Sequence, residues 1–254
     1  MENPVDPVVR PPLSATGLER LLRPETVALV GASANPRSLG GRTLANLAGF
    51  PGRLYRVNPN QSEIHGHPCY PDIASLPEAM DCVVLAIPAE GVESVARQCA
   101  QAHAGAVVVL ASGYSETQVE EGAAAQARLV ALAREAGMRV VGPNCVGVAN
   151  QVHGLHAAFA EFPRSEPVPG CRIGLVSQSG ALALALSQGA EHGVSFSQVL
   201  TCGNSCDVDV ADYVAFLAGE PQCDAIALAF EGVADLGRLR QALDLAVRKG
   251  KRVA

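Results

Sequence analysis

A chain of 254 residues, 48% of them hydrophobic and 17% charged, can form one large or two ordinary globular domains, and this composition excludes an intrinsically disordered protein. The net charge of −6, without a basic stripe, argues against a nucleic-acid or anionic-membrane partner. No apolar run reaches the roughly 18 residues that a membrane span needs. The polar, proline-rich start is not a secretory signal, so we expect a cytoplasmic protein.

The eight cysteines are expected to be reduced in such a compartment and to serve as small buried or half-buried residues. The closest pair, Cys202 and Cys206, lacks the CxxC spacing of metal sites and has no histidine nearby. The sequence therefore predicts no metal site.

A proline-rich N-terminal arm is predicted over residues 1–20, and apolar strands then alternate with alanine-rich helices as far as residue 150. This alternation is typical of a parallel sheet covered on both faces, and right-handed crossovers make it a Rossmann-like domain over residues 21–150. The predicted strands are Thr26–Gly31, Leu54–Val57, Cys82–Ile87, Ala106–Leu110 and Arg139–Val141. The predicted helices are Leu39–Gly49, Gly91–His103 and Glu116–Gly137.

Residues 151–170 are predicted to be an irregular linker, because the stretch from 143 to 170 is rich in Gly, Pro and Asn. A second α/β alternation occupies residues 171–254. Its predicted strands are Arg172–Val176, Phe196–Thr201 and Ala225–Phe230, and its helices are Gly180–His192, Val208–Leu217 and Leu236–Lys249. The final four residues, KRVA, look like the opening of another strand, which predicts a truncated second domain.

The loop after the first strand leads directly into a helix, with the sequence VALVGASANPRSLGG. Gly31 and Ser33 follow the strand, and Gly40 and Gly41 open the helix. Anions bind where parallel strands end and helices begin, and small residues let a pyrophosphate approach the backbone closely. The loop therefore predicts a phosphate site, with a tight turn that binds nothing as the alternative.

A nucleotide other than NAD is the predicted ligand of this loop. The loop matches neither GxGxxG nor the P-loop, and the second strand ends at Asn58 and Pro59, without the carboxylate that binds the ribose of NAD. Arg37, Arg53 and Arg56 could meet an additional phosphate, as in NADP or in the 3′-phosphate of CoA. A solvated surface charge is the alternative for each arginine.

The series of motifs resembles the CoA-binding region of ADP-forming acyl-CoA synthetases, with the succinyl-CoA synthetase α-subunit as a more distant relative. The motifs occur in the family's order over residues 20–254: GASANPRSLGG, YRVNPN, LAIPAE, ASGYSET, GPNCVGVAN, GLVSQSGAL, TCGNSCDVDVADY and ALAFEGV. The resemblance implies a Rossmann-like CoA-binding domain followed by a flavodoxin-like, succinyl-CoA synthetase-like α/β domain that is truncated. It also implies an oligomer.

The resemblance further implies which residues of the first domain bind CoA. Pro88 closes the third strand and could equally be a plain strand terminator, since it lacks an amide proton. The implied residues are Gly31, Ser33, Arg37 and Gly40 at the pyrophosphate, Asn58 and Pro59 at the adenosine, and Pro88, Ser112 and Gly113 along the pantetheine arm.

A second strand–turn–helix run, GLVSQSGALALAL, predicts a site for a phosphoryl group at Ser177, Gln178, Ser179 and Gly180. A simple serine N-cap is the alternative, and the spacing is not the GxSxG of a hydrolase. In the resembled enzymes this helix end holds the phosphate of a catalytic histidine. Glu231 matches the glutamate that orients that histidine, and we predict it as the catalytic residue.

The histidine turn and the ATP-grasp module of the family have no counterpart in this sequence, and His153 and His156 are expected to be surface residues. The chain is thus expected to bind CoA and a small carboxylic acid or acyl-CoA. It would be incomplete for catalysis without an ATP-grasp module that brings ATP, ADP and Mg. Two alternatives remain open: a non-catalytic CoA-binding module, as in a protein acetyltransferase, and an NAD(P)-dependent oxidoreductase.

Overall fold

The chain forms two α/β units, each built around one sheet. This computed structural model describes residues 13–14, 16–164 and 167–254, so residues 1–12 and 15 of the predicted arm lie outside the described residues. A short helix, α1 (Glu19–Leu22), precedes the first sheet. The strands of that sheet are β1 (Thr26–Val30), β2 (Arg53–Val57), β3 (Glu63–Ile64), β4 (His67–Tyr70), β5 (Cys82–Leu85), β6 (Ala106–Val109) and β7 (Arg139–Val141).

The first sheet has the order β3-β4-β2-β1-β5-β6-β7 and is parallel except for the β3–β4 hairpin. Its central strands β1, β5 and β6 are buried on both faces, because α2 (Leu39–Leu47) covers one face and α3 (Ala89–Gln101) and α4 (Glu120–Glu135) cover the other. The chain changes direction across the sheet between β1 and β5, which is the switch point where such sheets bind ligands. The Rossmann-like prediction is confirmed.

The predicted elements of this unit agree with the structure to within a few residues, apart from two places. The β3–β4 hairpin was not predicted, because this short edge hairpin carries polar residues and Pro68 instead of an apolar run. The single helix predicted over Glu116–Gly137 is wrong at its start. There Gln118 has a φ of 58°, which separates a 3₁₀ turn at Ser115–Thr117 from α4.

The second sheet has six strands, and two of them lie where an irregular linker was expected. Its strands are β8 (Gly147–Asn150), β9 (Leu155–Ala158), β10 (Ile173–Ser177), β11 (Phe196–Thr201), β12 (Ala225–Ala229) and β13 (Arg252–Val253), in the order β13-β12-β10-β11-β8-β9. Both β8 and β9 are fully buried and pair antiparallel. The prediction of an irregular linker over 151–170 is therefore wrong where β9 lies. Strand β8 falls within the range predicted for the first domain, but it belongs to the second sheet. Gly, Asn and His made these strands look like a loop.

Helix α6 (Val210–Gly219) joins the two units into one core. It packs with α7 (Leu236–Arg248) on one face of the second sheet, whereas α5 (Gly180–Ser187) covers the other face. All of residues 210–218 are buried, because the first unit covers the outer side of α6. The guanidinium carbon of Arg23, for example, lies 5.2 Å from the ring centre of Phe216. One hydrophobic cluster accordingly runs from Leu22 and Val27 to Tyr213 and Phe216.

Buried ion pairs fix the same interface. Arg139 Nε of β7 donates to Asp207 Oδ2 at 2.8 Å, and Arg139 Nη2 lies 3.4 Å from Asp212 Oδ2. Arg238 Nη2 of α7 donates to Asp212 Oδ1 at 2.9 Å. Burial raises the pKa of Asp212 to about 6, against the opposing effect of Arg139. Because unpaired buried charges are costly, these pairs favour one relative placement of the two units.

All eight cysteines lie in the described part of the chain and have free thiols. Seven are buried, as predicted, whereas Cys171 is exposed just before β10. Among the described helices, none has both the length and the apolar character that a transmembrane span requires.

The expectation that His156 is a surface residue is wrong, since only 7% of it is exposed in β9. The strand pairs with β8, and His156 lies on the same face as Ala158, which packs in the second core. Burial, and secondarily the charge of Arg164, lower the pKa of His156 from 6.5 to about 4. The folded protein thus holds this imidazole neutral.

We expect the stability of the protein to depend on pH through His156. The unfolded chain binds a proton near pH 6.5 and the folded protein only near pH 4, so stability is fully present above pH 6.5 and is lost as the pH falls toward 4. Urea unfolding should show a loss of about 2 kcal/mol from this residue between about pH 7 and pH 5. His156→Gln should lack that share of the pH dependence, and identical pH profiles for both proteins would contradict a neutral buried imidazole.

Candidate functional site

A cleft of about 1330 Å³ lies between the two units, along the carboxyl ends of strands from both sheets. The first unit contributes the segments after β5 and β6, and the second unit contributes the segments after β10 and β12. The cleft brings together seven of the residues that the sequence selected as site residues. They are Pro88, Ser112 and Gly113 from the first unit, and Gln178, Ser179, Gly180 and Glu231 from the second.

The loop after β1 is packed against the start of α2 at glycine positions. Gly31 has a φ of 83°, and a Cβ there would overlap the carbonyl oxygen of Ala86. A Cβ on Gly40 would in turn overlap the carbonyl oxygen of Gly31. Only glycine allows this approach, so the two residues let the helix begin directly beside the loop, as a phosphate site requires.

The other predicted residues of the first loop are placed differently. Ser33 lines a second cavity and not the main cleft, and Arg37 is exposed and lines neither. Asn58 Nδ2 donates to the carbonyl of Ala32 at 2.8 Å, and its Oδ1 accepts from the Asn60 amide at 2.9 Å. The Asn58 side chain therefore holds the loop in place, with Pro59 exposed beside it.

Arg42, which the sequence analysis did not select, is the basic side chain of the main cleft among the described lining residues. It lies in the first turn of α2, and its guanidinium carbon is 5.3 Å from the ring centre of Phe159 from the second unit. This cation–π contact holds the guanidinium beside a second residue that lines the cleft. Arg42 directly follows Gly40 and Gly41 at the predicted start of this helix, so the sequence alone could have indicated it as a cleft residue.

Glu116 and Asn204 form a second unpredicted contact across the cleft. Glu116 Oε1 accepts from the Gly113 amide at 2.5 Å, and Asn204 Nδ2 donates to Glu116 Oε2 at 2.5 Å. Partial burial opposes ionisation of Glu116, but these hydrogen bonds outweigh it and lower the pKa of this carboxyl. The loop after β6 is thus tied to the loop after β11, and the backbone of Gly113 is fixed in the cleft wall.

The turn after β10 uses its side chains in ways that the sequence did not reveal. Ser177 is buried, lies outside the cleft lining, and donates its hydroxyl to the Ser179 carbonyl at 2.8 Å. Gln178 Nε2 donates to the Gly232 carbonyl at 2.6 Å, and its Oε1 accepts from the Glu231 amide at 2.8 Å. Both side chains therefore hold the turn and its neighbouring loop through hydrogen bonds within the protein.

This turn places the start of α5 in the wall of the cleft. Ser179 is the N-cap, since its hydroxyl accepts from the Leu182 amide at 3.2 Å. A Cβ on Gly180 would overlap the Val146 side chain, so the helix begins in close contact with the segment that precedes β8. The exposed carboxylate of Glu231 stands beside it, with its backbone held by Gln178. The described residues contain no group of His, Cys, Asp or Glu side chains placed to bind a metal ion.

Two family models match the chain in succession. Residues 25–151 match a CoA binding domain, and residues 170–254 match a succinyl-CoA ligase like flavodoxin domain. These ranges contain the first and second candidate phosphate loops, respectively. The fold is therefore the pair of domains that the resemblance implied.

Curated relatives align across both units. ADP-forming acetate–CoA ligase I of Archaeoglobus fulgidus is 37% identical over 235 residues, which cover 91% of this chain and 33% of the relative. Trans-feruloyl-CoA synthase FCS1 of an unknown prokaryotic organism is 41% identical over 220 residues, covering 85% of this chain and 31% of the relative. The chain thus spans about a third of the length of these relatives.

One solved structure aligns with both units of this chain. It is the dinucleotide forming acetyl-coenzyme A synthetase 1 of Ca. Korarchaeum cryptofilum in complex with phosphate and ADP, which is 34% identical with a TM-score of 0.84. The match covers 93% of this chain and 50% of that chain. On the strength of both domains, their order and these relatives, the chain belongs to the family of NDP-forming (ADP-forming) acyl-CoA synthetases.

Proposed function

We propose that this chain is the CoA-binding part of an acid–CoA ligase, which interconverts acyl-CoA, ADP and phosphate with the free acid, CoA and ATP. The observation that carries the proposal is the single cleft that joins the strand ends of both sheets. A long ligand held by the first unit would reach the start of α5 in the second. CoA has a reactive thiol at one end and phosphates at the other, which suits such a cleft.

The first unit supplies the phosphate end of this proposed site. The loop at Gly31 and the start of α2 at Gly40 would receive the pyrophosphate, because a helix N-terminus presents amide donors and a positive dipole end. Arg42 adds a guanidinium that faces the cleft, and it is better placed for this purpose than the exposed Arg37. Ser33 stands on the adenosine side of the same loop.

The pantetheine arm would run from there along Pro88, Ser112 and Gly113 toward the second unit. These residues are small or lack a side-chain charge, which suits an uncharged chain of amides and methylenes. The arm would deliver the thiol, or its acyl thioester, to the start of α5 at Ser179 and Gly180. The amides of that helix start can accept the negative charge of a phosphoryl group.

Glu231 is proposed to orient a phosphoryl-accepting imidazole. A carboxylate that accepts a hydrogen bond from one ring nitrogen fixes the tautomer and leaves the other nitrogen free to attack phosphorus. No histidine of the described residues lines the cleft. We therefore propose that the imidazole, together with the ATP-grasp module that binds ATP, ADP and Mg, comes from another segment or subunit.

Exposed apolar side chains beside this site support the proposal that another protein surface packs there. Leu182 and Leu186 of α5 are 44% and 45% exposed, and Phe230, next to Glu231, is 40% exposed. Apolar side chains gathered on a surface are commonly covered by a partner. The relatives are named for acyl groups as different as acetate and trans-feruloyl.

Calorimetric titration of the chain with CoA, NAD and NADP tests the proposal. We expect CoA to bind most tightly, because β2 ends in Asn58 without the carboxylate that NAD requires. Arg42→Gln should weaken CoA about 10- to 100-fold, the worth of a charge-assisted hydrogen bond, and Arg37→Gln should weaken it less. Binding of NAD as tightly as CoA would refute the assignment.

A further inference from the structure

A side cavity of about 290 Å³ lies between the N-terminal parts of α3 and α4, on the face of the first sheet opposite α2. The segment after β6 contributes Gly113 and Tyr114 to its lining. Three residues, Ala89, Glu90 and Gly113, line both the side cavity and the main cleft. The side cavity therefore adjoins the cleft beside the wall that is proposed for the pantetheine arm.

Tyr114 contributes a phenol to the side cavity. Only 3% of this residue is exposed, and it belongs to the hydrophobic cluster between the first sheet and the two helices. Its amide donates to Glu116 and its carbonyl accepts from Thr117, whereas its phenol oxygen has no hydrogen-bond partner among the described residues. Burial, followed by the charges of Cys206 and nearby glutamates, raises the pKa of Tyr114 to about 12, so the phenol stays protonated. A buried hydroxyl without a partner costs free energy, which a polar ligand atom in the cavity would restore.

The charged side chains of the side cavity leave its lining negative, since three glutamates face one arginine. Arg128 Nε donates to Glu93 Oε2 at 2.9 Å, and Arg128 Nη2 donates to Glu121 Oε1 at 3.2 Å. Glu90 is exposed where the side cavity adjoins the cleft, and no described residue forms an ion pair with it. A carboxylate on a ligand would therefore be repelled, whereas a hydroxyl can donate a hydrogen bond to Glu90.

The remaining lining of the side cavity is small or apolar, and it consists of Ala89, Gly113, Gly122, Ala125 and Leu129. Such a surface suits the carbon chain of a ligand, because burying apolar area is favourable. A hydroxyl at the end of that chain can accept a hydrogen bond from the Tyr114 phenol. The cavity therefore fits an uncharged chain of a few carbons that carries a hydroxyl.

We propose that the side cavity selects the acyl group of the thioester, and that it favours an acyl group with a hydroxyl at its far end. This assignment rests on the proposed function and specifies the substrate class of the same site. The thioester would lie beside Gly113, with its acyl chain in the side cavity and its hydroxyl accepting from Tyr114 Oη. Tyr114 and Glu90 thereby determine specificity, the first by attracting a hydroxyl and the second by repelling a carboxylate.

Calorimetric titration of the chain with butyryl-CoA, 4-hydroxybutyryl-CoA and succinyl-CoA tests this assignment, because their four-carbon acyl groups differ only at the last carbon. We expect 4-hydroxybutyryl-CoA to bind about 3- to 10-fold more tightly than butyryl-CoA, the worth of a neutral hydrogen bond, and succinyl-CoA to bind most weakly. Tyr114→Phe should remove the preference for the hydroxyl and leave the affinity for CoA itself unchanged. Tyr55→Phe is the control and should keep the preference, since the Tyr55 hydroxyl donates to Glu78 at 2.5 Å and lines neither the side cavity nor the main cleft.

The stability of Tyr114→Phe distinguishes a ligand contact from a structural one. Because the phenol oxygen has no hydrogen-bond partner among the described residues, its removal should leave urea unfolding unchanged. A marked loss of stability would show that the hydroxyl serves the fold, and it would overturn the assignment.

A second variant tests the charge at the mouth of the side cavity. Glu90→Gln should strengthen the binding of succinyl-CoA about 2- to 5-fold, because it removes a repelling carboxylate near the surface. Glu135→Gln, the same change at the exposed end of α4, should leave that affinity unchanged.

Equal binding of the three thioesters by the unaltered chain would overturn the assignment of the side cavity. A preference for the hydroxyl that survives in Tyr114→Phe would overturn it as well, and unchanged binding of succinyl-CoA by Glu90→Gln would count against the role of Glu90. Failure of CoA and of all three thioesters to bind would instead refute the proposed function itself.

Discussion

Gly40→Ala is expected to weaken CoA binding about 10- to 100-fold and to lower the free energy of unfolding by about 1–3 kcal/mol. The added methyl group would overlap the carbonyl oxygen of Gly31, and both partners are backbone, so neither can turn aside. The start of α2 must then move away from the loop after β1. Calorimetry with CoA and urea unfolding would measure the two effects.

Gly91→Ala is the matched control, since it makes the same change in α3 of the same unit. A Cβ there meets only the flexible end of Ile87, at 3.4 Å. Alanine favours a helix over glycine by roughly 0.5–1 kcal/mol, so this variant should be as stable as the unaltered chain or slightly more so. If Gly40→Ala bound CoA normally, the loop would be a turn without a role in phosphate binding.

Glu231→Gln is expected to slow histidine phosphorylation roughly 10²- to 10⁴-fold in the ligase assembled with its ATP-grasp module, the range that general acid–base groups contribute. Glutamine keeps the size of the side chain but loses the negative charge that would hold the imidazole. The local backbone should persist, because Gln178 binds the amide of residue 231 and not its carboxylate. Rapid-quench measurement of phosphohistidine would give the rate.

CoA affinity should stay the same in Glu231→Gln, since the first-unit loop is untouched. Asp244→Asn, a carboxylate-to-amide change on the exposed side of α7, is the control and should leave the rate unaltered. Ser179→Ala should give a smaller loss than Glu231→Gln, because the backbone amides of the helix start remain. A normal phosphorylation rate in Glu231→Gln would remove this residue from the proposed mechanism and favour a non-catalytic CoA-binding module.

Much of the fold could be predicted because parallel strands buried on both faces leave continuous apolar runs, as in β1, β5 and β6. The same topology places the strand ends of one sheet at one edge, which is why Pro88 and Ser112 could be expected near each other and do line one cleft. Glu231 follows a strand of the other sheet, and its place in that cleft depends on how the two units pack. The antiparallel strands β8 and β9 escaped prediction. One face of these strands packs in the second core and the other in the cluster shared with the first unit, and a local pattern that contains Gly147 and His156 does not indicate this burial.

The direction of individual side chains could not be predicted in the same way. Ser177 and Ser179 are two residues apart in one turn, yet the hydroxyl of the first faces inward and that of the second caps α5. Arg37 and Arg42 flank the start of one helix, and only Arg42 meets Phe159 from the other unit. These differences depend on contacts between segments far apart in sequence, which no local pattern records.

Because α6 is enclosed on every side, the two units that form the walls of the main cleft are held at a fixed separation. Swinging the two units apart would expose Phe216 to water, at about 1.5–3 kcal/mol, and would also separate Arg139 from Asp207 and Asp212. A swung-out form would therefore make up less than about 1% of molecules. We therefore expect a ligand to enter the cleft without a hinge motion of the two units. Any adjustment of the cleft would come from its loops, such as the one in which Glu116 accepts a hydrogen bond from Asn204.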